Sequence, residues 1–223
     1  MTKGDTSAAQ ERFTRLHREI RRRICLLDYA PNTRLSEADL ATEFGTSRTP
    51  VRRVLGRLED EGLVQSVQGV GTFVTDYDIS ELEQVYQLRL ELLDLMPQLS
   101  PQMPDEDWMS QMAVLSKRSK AILADPDPRA FTELDMDHFA LMVQLTANQE
   151  LREITERLYF KTKRIWVQSA VMSAIDLALE LAIFDREIDD IIAALKIGDL
   201  SAVASIQKAH ISMSFQRLKQ AAA

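Results

Sequence analysis

Arginine and threonine side chains gather on one face of a short predicted helix in the first quarter of the chain. Arg48 and Arg52 are four residues apart, with Thr49 beside them, so a helix places them on the same side. The opposite face carries an apolar stripe made of Val51, Val54, Leu55 and Leu58. Guanidinium groups on such a face can hydrogen-bond to phosphates and to guanine edges in a DNA major groove. The same residues also fit an ordinary solvated surface helix, so the flanking sequence has to decide.

The flanking segments favour DNA binding because they complete a winged helix-turn-helix pattern. Upstream, residues 36–39 read Ser-Glu-Ala-Asp, which resembles a helix-capping box, and Gly45 follows as a turn residue. Downstream, residues 63–67 and 72–74 are strand-like, and the glycine-containing segment 68–71 between them predicts a hairpin tip. This order of short helix, turn, arginine-bearing helix and two-stranded wing is typical of DNA-binding domains.

Three segments, residues 34–41, 44–52 and 58–64, resemble the DNA-binding domain of GntR-family transcriptional regulators. The resemblance covers about 60 residues without a gap and implies two sets of DNA-facing residues. The helix set consists of Ser47, Arg48, Thr49, Pro50 and Arg52, and the wing-tip set consists of Gln68 and Gly69. Arg53 stands where the family usually has Glu, which adds a positive charge near the expected phosphates. We therefore include Arg53 among the predicted DNA-binding residues.

The charge of the chain is divided unevenly along its length. The whole chain has a net charge of −7, but residues 1–75 contain 12 Lys/Arg and 10 Asp/Glu, a net charge of +2. The remaining residues contain 15 and 24, a net charge of −9. The positive part is the part that carries the helix-turn-helix pattern, as expected for a nucleic-acid-binding segment. We find no apolar run long enough to cross a membrane, no signal-peptide core and a single Cys25, so we expect a cytoplasmic protein.

The sequence divides into a winged helix-turn-helix domain at 1–75, a polar linker at 76–79 and a second domain at 80–223. Residues 1–10 are polar and predict a disordered leader, followed by a helix over residues 11–27. Arg21, Arg22 and Arg23 on this helix fit a solvated edge better than a phosphate contact. We predict the turn between this helix and the helix-turn-helix at residues 28–33.

The second domain predicts helices only, so the expected fold class is mostly α. Helical patterns cover residues 80–97, 105–124, 128–146, 148–171, 174–196 and 199–219, with Pro, Asn or Gly-Asp breakers between them. No strand-like alternation of any length interrupts them. We expect an all-α bundle of six helices behind the winged helix-turn-helix domain.

Residues 131–151 and 191–210 resemble the FCD domain, the ligand-sensing half of FadR-like GntR regulators, and six helices suit its shorter VanR-type branch. In many FCD domains one Asp and three His side chains hold a divalent metal ion. The matching positions here are Asp135, Phe139, Ile188 and His210, so two of the four donors are apolar. His138 is next to one lost position, but one helical step turns a side chain by about 100°, so it should face elsewhere. We predict no tightly bound metal and no cofactor.

The polar residues that remain could still bind a small anion. Arg89 matches a family position that points into the ligand cavity, and three more candidates lie on later helices, Asp135, Arg164 and His210. Each could instead be a surface residue or a satisfied core residue.

These observations predict a DNA-binding transcriptional regulator, most simply a repressor, that works as a homodimer on a pseudo-palindromic duplex operator. A small metabolite, such as an organic acid, would control it from the helical domain without any membrane partner. The alternative is a regulator whose helical domain only dimerises and no longer senses a ligand or metal. An enzyme is not expected, because no nucleophile–base pair or glycine-rich phosphate loop is present.

Overall fold

The structure is a computed structural model that describes residues 3–77, 80–171 and 175–222 of the chain. Residues 1–2, 78–79, 172–174 and 223 lie outside it. They include part of the predicted leader, half of the predicted linker and the start of the predicted helix at 174–196. The chain forms two compact units, one within residues 1–77 and one within residues 78–223, and each is described by itself. The mostly α fold class is confirmed.

The first unit contains three helices and a small three-stranded sheet in its described part. In chain order these are α1 Lys3–Cys25, β1 Arg34–Leu35, α2 Glu37–Glu43, α3 Arg48–Asp60, β2 Val64–Val67 and β3 Gly71–Val74. The prediction of a disordered leader was wrong for residues 3–10, because α1 already begins at Lys3. Ala and Gln at positions 8–10 are good helix formers that carry the helix upstream of Glu11.

The helix-turn-helix is built by the local signals that predicted it. The Ser36 hydroxyl accepts a hydrogen bond from the Asp39 amide at the start of α2. Gly45 has a φ of +59° in the turn between α2 and α3, and Gly62 has a φ of +76° just after α3 ends. The predicted apolar stripe of α3 is buried, and α1 packs against α3 through the fully buried Ile20 and Ile24.

The sheet has the antiparallel strand order β1-β3-β2. The hairpin of β2 and β3 is the predicted wing, with Gln65 opposite Phe73. Strand β1 was missed and placed next to a turn, because two residues are too short to show an alternating pattern. It pairs Arg34 with Phe73 and anchors the wing to the segment before α2.

The regular secondary structure in the described part of the second unit is helical, apart from one isolated β-bridge between Pro101 and Thr146. It contains the six helices α4 Glu83–Leu95, α5 Glu106–Ala124, α6 Pro128–Met142, α7 Gln149–Val171, α8 Leu177–Lys196 and α9 Leu200–Ala222. Short 3-10 turns precede α4 and follow α6, so the predicted helix over 128–146 ends earlier than expected. Four of the helices are preceded by an Asp whose carboxylate accepts a hydrogen bond from a backbone amide, Asp105, Asp127, Asp176 and Asp199.

The bundle core consists of aliphatic and aromatic side chains from all six helices. Phe184 of α8 is 1% exposed, and its ring meets the ring of Phe131 of α6 edge-on at 5.1 Å. Trp108 of α5 is also buried, and its indole N–H donates to the carbonyl of Leu141 at 3.0 Å. Within residues 3–77, 80–171 and 175–222, no helix has the length and apolar character needed to span a membrane.

Candidate nucleic-acid interface and effector cavity

Helix α3 presents its polar face to solvent. Arg48, Thr49, Arg52 and Arg53 are exposed, and Arg52 keeps 73% of its side chain accessible. Ser47 is the N-cap residue of α3 by position, although its hydroxyl makes no capping hydrogen bond. Pro50 lies in the first turn, where its missing amide hydrogen costs nothing. The predicted DNA-facing side chains of α3 therefore lie on one accessible face.

Arg52 is held by a carboxylate from the preceding helix. Its Nε and Nη2 atoms donate to the two oxygens of Glu37, each at 2.8 Å. This fork-to-fork geometry fixes the plane of the guanidinium group. The hydrogen bond from Arg52 lowers the pKa of Glu37, so the pair is charged at neutral pH. Glu37 was noticed in the sequence only as part of a capping pattern.

A basic groove extends the arginine face of α3 onto α1. The groove has a volume of about 510 Å³, and three of its basic members, Arg12, Arg15 and Arg18, are exposed on α1. Arg53 of α3 borders the same groove, and its guanidinium carbon lies 5.3 Å from the centre of the Phe13 ring. The sequence interpretation considered only Arg21 to Arg23 on α1 and missed the three arginines one turn or more before them.

Arg21 and Arg23 take part in intramolecular ion pairs. Arg21 lies 3.7 Å from a carboxylate oxygen of Glu61. Arg23 donates to Glu19 of its own helix and to Glu43 of α2. These contacts favour a structural role for both side chains over a phosphate contact, but at 14% and 26% exposure they are not the solvated edge that the sequence predicted.

The wing tip is exposed and includes both residues predicted to reach DNA. Gln68 and Gly69 lie between β2 and β3, and Gly69 has a φ of +75°. A side chain at Gly69 would be strained by this left-handed backbone conformation. Next to the tip, at the first residue of β3, the Arg34 guanidinium covers Gly71, where a Cβ atom would come within 2.7 Å of Arg34 Nε.

The second unit contains a small polar cavity between its helices. It has a volume of about 70 Å³, which is room for roughly five water molecules. Its lining residues come from α4, α6, α7, α8 and α9, and are Tyr86, Arg89, Phe131, Asp135, Tyr159, Thr162, Lys163, Trp166, Glu180, His210, Ile211 and Ser214. The predicted Arg89, Asp135 and His210 are therefore brought together.

Asp135 is paired with two donors from α7. Lys163 Nζ lies 2.6 Å from Asp135 Oδ2, and the Tyr159 hydroxyl donates to the same oxygen at 2.5 Å. Burial raises the pKa of Asp135, but the charge and hydrogen bond of Lys163 outweigh it and hold that pKa below its usual value. The carboxylate is therefore ionised and forms a buried ion pair with Lys163, which is 7% exposed.

Arg89 reaches the cavity from α4 and has neutral partners. Its Nη1 donates to the Thr162 hydroxyl at 2.6 Å. Its guanidinium carbon lies 5.4 Å from the Tyr86 ring centre and 5.5 Å from that of Tyr159. Among the described residues, no carboxylate forms an ion pair with Arg89. The cavity therefore has a cation whose charge is not matched by a neighbouring anion.

The α8–α9 side of the cavity consists of two further acid–base pairs. Arg217 donates through both Nε and Nη2 to Glu180, which is 3% exposed and also accepts from Ser214. His210 Nδ1 lies 3.0 Å from Glu187 Oε2. Burial lowers the pKa of His210, but the Glu187 carboxylate outweighs that effect and the pKa is raised.

His138 faces elsewhere than the lost position 139, as expected, and it is not among the residues that line the cavity. His138 is 4% exposed, and its ring meets that of Phe184 edge-on at 5.1 Å. Its charge interacts with those of Asp135, Glu187 and His210. Residues three apart on a helix lie near one face, so His138 remains close to Asp135 although it does not line the cavity. Burial lowers the pKa of His138.

The residues at the expected metal position do not fit a metal ion. Phe139 is stacked on Tyr159 with ring centres 3.7 Å apart, and Ile188 is fully buried. The part of the chain that the structure describes contains no group of three or more His, Cys, Asp or Glu side chains able to hold a metal. Asp135 is already occupied by Lys163 and Tyr159. The absence of a bound metal stays a prediction that metal analysis has to test.

Arg164 is the one predicted ligand-binding residue outside this lining. It is 1% exposed and lies within α7, but the cavity is bordered by its neighbour Lys163 instead. A helical pattern could have selected the correct residue. Tyr159, Thr162, Lys163 and Trp166 repeat at i, i+3, i+4 and i+7, which is the spacing of one helix face.

Each of the two units matches the model of a known protein family. The model described as bacterial regulatory proteins, gntR family, matches residues 13–74, and the model of the FCD domain matches residues 84–213. The chain belongs to the GntR family and carries an FCD domain. Its matched domains are those of transcriptional regulators rather than enzymes, as the sequence predicted. The assignment to the VanR-type branch stays a prediction.

The relatives of this GntR-family chain are transcriptional regulators. It is 24% identical over 147 residues to the HTH-type transcriptional regulator YdhC of Bacillus subtilis (strain 168), a match that spans 66% of each chain. It is 24% identical over 208 residues to the HTH-type transcriptional repressor RspR of Escherichia coli (strain K12), covering 92% of this chain and 89% of the relative. The solved structure of E. coli McbR/YncC has the same fold, with a TM-score of 0.78, 19% identity and coverage of 94% and 97%.

Proposed function

We propose that this GntR-family protein is a transcriptional repressor that binds a duplex operator and is controlled by a small organic acid. The observation that carries the proposal is the position of Arg89, whose cation borders a cavity and has a hydroxyl and two aromatic rings as partners. A carboxylate is the common metabolite group that a guanidinium binds with two hydrogen bonds. The cavity volume of about 70 Å³ limits the acid to a few non-hydrogen atoms.

The charges around the cavity support an anion over a cation or a neutral ligand. Asp135 is matched by Lys163, Glu180 by Arg217, and Glu187 by His210. The positive charge of Arg89 is then not balanced, which favours a ligand with one negative charge. An anion at Arg89 would also neutralise the charge of its guanidinium group. Hydrogen bonds between a guanidinium and a carboxylate are stronger than hydrogen bonds between neutral groups.

The DNA-binding part of the proposal is supported by the exposed face of α3 and by the wing. Ser47, Arg48, Thr49, Pro50 and Arg52 would contact the major groove. Arg53 would contact the DNA phosphates, and Gln68 and Gly69 at the wing tip would contact the minor groove. A homodimer would place two such faces on the half-sites of a pseudo-palindromic operator. It would have a mass of about 51 kDa in solution, twice the 25.3 kDa of one chain.

Effector control requires that the acid bind the two functional states with different affinities. A coupling of about 1–3 kcal/mol, or roughly 5- to 150-fold in operator affinity, is typical of such regulators. The helices that border the cavity carry buried ion pairs, so an added anion at Arg89 changes the electrostatics of several helices at once. This change in the electrostatics of the bundle is the route that we propose for the coupling.

A thermal-shift screen of aliphatic carboxylates, amino acids and sugar acids tests the proposed sensor. A small monocarboxylate should raise the melting temperature, because a ligand that binds only the folded state stabilises it. The Arg89→Gln variant should lose this shift, whereas the control Arg157→Gln, an exposed position on α7, should keep it. A shift that survives in Arg89→Gln would remove Arg89 from the site.

The alternative, a helical domain that only dimerises, is favoured by one observation. Phe139 and Ile188 pack as apolar side chains where related domains bind a ligand-coordinating metal. A flat response to every compound in the screen, together with a stable dimer of about 51 kDa, would support this alternative.

A further inference from the structure

Asp135, one of the four positions that match the metal ligands of many FCD domains, forms an ion pair with Lys163 instead. A divalent ion needs several nitrogen or oxygen donors that converge on one point. Of the four matching positions, Phe139 and Ile188 have no donor atom, and His210 is engaged with Glu187. Asp135 alone would be left to hold the ion, and its Oδ2 atom already accepts from two groups.

We propose that the Lys163 ammonium group is a built-in cation that replaces the metal, so that this protein binds its carboxylate effector at Lys163 and Arg89 without a divalent ion. This inference rests on the proposed effector class and goes beyond it by naming the group that does the work of the metal. A lysine ammonium has three N–H donors, and Asp135 uses one of them. The others can donate to a ligand carboxylate in the cavity that Lys163 borders.

The surroundings of Lys163 keep its charge in place. The ammonium nitrogen lies 4.8 Å from the centre of the Trp166 ring and 5.9 Å from that of Phe131, both within the range of a cation–π interaction. Asp135 and these two rings contact the ammonium from several sides and restrict the motion of an otherwise flexible side chain. A fixed ammonium is preorganised for an anion, as a bound metal would be.

Arg89 and Lys163 are connected within the cavity. Arg89 donates to Thr162, the residue before Lys163, and it lies over the ring of Tyr159, whose hydroxyl shares Asp135 with Lys163. A carboxylate that entered the cavity could therefore meet a guanidinium and an ammonium at the same time. Glu180 also lines the cavity but is paired with Arg217, so Asp135 faces the two cations and a monocarboxylate would complete the charge balance.

The metal half of the inference is tested on the full chain without any effector. Protein purified without chelator should contain well under one metal ion per chain by elemental analysis. Its melting temperature should be unchanged by EDTA and by nickel, zinc or manganese. Near-stoichiometric metal, or a metal-dependent rise in melting temperature that EDTA reverses, would overturn the inference and leave the proposed effector class intact.

The effector half is tested by calorimetric titration with acetate, propionate and lactate in the presence of EDTA. We expect binding with EDTA present. We expect Lys163→Met to bind at least about tenfold more weakly, since about 1.4 kcal/mol corresponds to one decade. Lys163→Arg should keep most of the affinity, and Lys117→Met, at an exposed position on α5, should keep all of it.

The paired variant Asp135→Asn/Lys163→Gln guards against a variant that fails to fold. It removes both charges, should fold as judged by circular dichroism, and should bind the same acids as weakly as Lys163→Met. Wild-type affinity in either of these variants would overturn the role of Lys163. If none of the three acids binds the wild-type protein with or without metal, the proposed effector class fails as well. The elemental analysis and the EDTA experiment need no effector, so they still test the metal-free site by itself.

Discussion

Arg52 on α3 and Glu37 on α2 form two parallel hydrogen bonds of 2.8 Å each at the surface of the helix-turn-helix. The pair holds an exposed guanidinium group in a fixed plane on the face proposed to contact DNA. The carboxylate also adds a negative charge next to that face, so Glu37 both orients Arg52 and opposes an approaching phosphate. Replacements at the two positions should therefore have opposite or unequal effects on DNA affinity.

Arg52→Ala should weaken operator binding by at least about tenfold, because a bidentate arginine contact to a base contributes roughly 1–3 kcal/mol. Arg52→Lys should restore only part of the loss, since an ammonium cannot form a planar fork. Binding can be measured by fluorescence anisotropy on a duplex that the wild-type protein selects from a random library. Arg157→Ala on α7 is the matched control and should bind normally. Normal binding by Arg52→Ala would contradict the assignment of α3 as the recognition helix.

Arg53→Ala should weaken binding to all sequences by a similar factor and should reduce its salt dependence. If each subunit contacts about four phosphates, the slope of log affinity against log salt should be near −7 for the dimer. Loss of one phosphate contact per subunit should make the slope shallower by about 1.8 for the dimer. An unchanged slope with altered sequence preference would instead indicate that Arg53 contacts a base.

The first unit was predictable from sequence because its signals are local. Capping, turn glycines and the apolar stripe of α3 each act within about ten residues, and the structure has a helix, turn or strand at each of these places. Strand β1 escaped notice because its pairing with β3 joins residues that are almost 40 positions apart. The arginines at 12, 15 and 18 escaped because only the fold shows that α1 and α3 border one groove.

The cavity of the second unit was predictable only in part, because its residues come from five helices. The resemblance pointed to Arg89, Asp135 and His210, all of which line it. Lys163 was missed, although it is next to the chosen Arg164. Adjacent side chains on a helix point in different directions, and the sequence did not show which face of α7 borders the cavity. The buried partners Glu180 and Glu187 were not predicted at all, since charged residues are seldom buried and the sequence does not reveal their pairing.

Glu61 should make the stability of the first unit depend on acid pH. This carboxylate is 5% exposed at the end of α3, and it contacts His17 at 2.9 Å and Arg57 at 3.2 Å. Burial raises the pKa of Glu61, but the hydrogen bond from His17 and the nearby positive charges outweigh it, so the pKa is lowered. A lowered folded-state pKa stabilises the fold above the unfolded value of about 4.3, and this contribution is lost as the pH falls through the folded value.

Glu61→Gln should cost about 1–3 kcal/mol at neutral pH, because buried donors lose a charged acceptor. Its stability should then change less than that of the wild type between about pH 5 and pH 3. Tryptophan fluorescence does not report on this unit, because both tryptophans, Trp108 and Trp166, are in the second unit. The stability of the first unit is therefore measured by hydrogen exchange of α3 peptides in the full chain. Asp60→Asn, at an exposed neighbouring position, is the control variant for the pH profile. A parallel pH dependence in Glu61→Gln and wild type would show that Glu61 contributes nothing to it.

Glu180 and Arg217 should show strong coupling in a double-mutant cycle. Arg217→Met leaves the Glu180 carboxylate, which is 3% exposed, with Ser214 as its remaining hydrogen-bond partner, and should cost about 3 kcal/mol. Glu180→Leu/Arg217→Met removes both charges together and should cost much less than the sum of the single replacements, because no buried charge is left unpaired. Urea unfolding followed by tryptophan fluorescence measures this in the second unit. Additive losses would mean that solvent already compensates the Glu180 charge, contrary to its burial between α8 and α9.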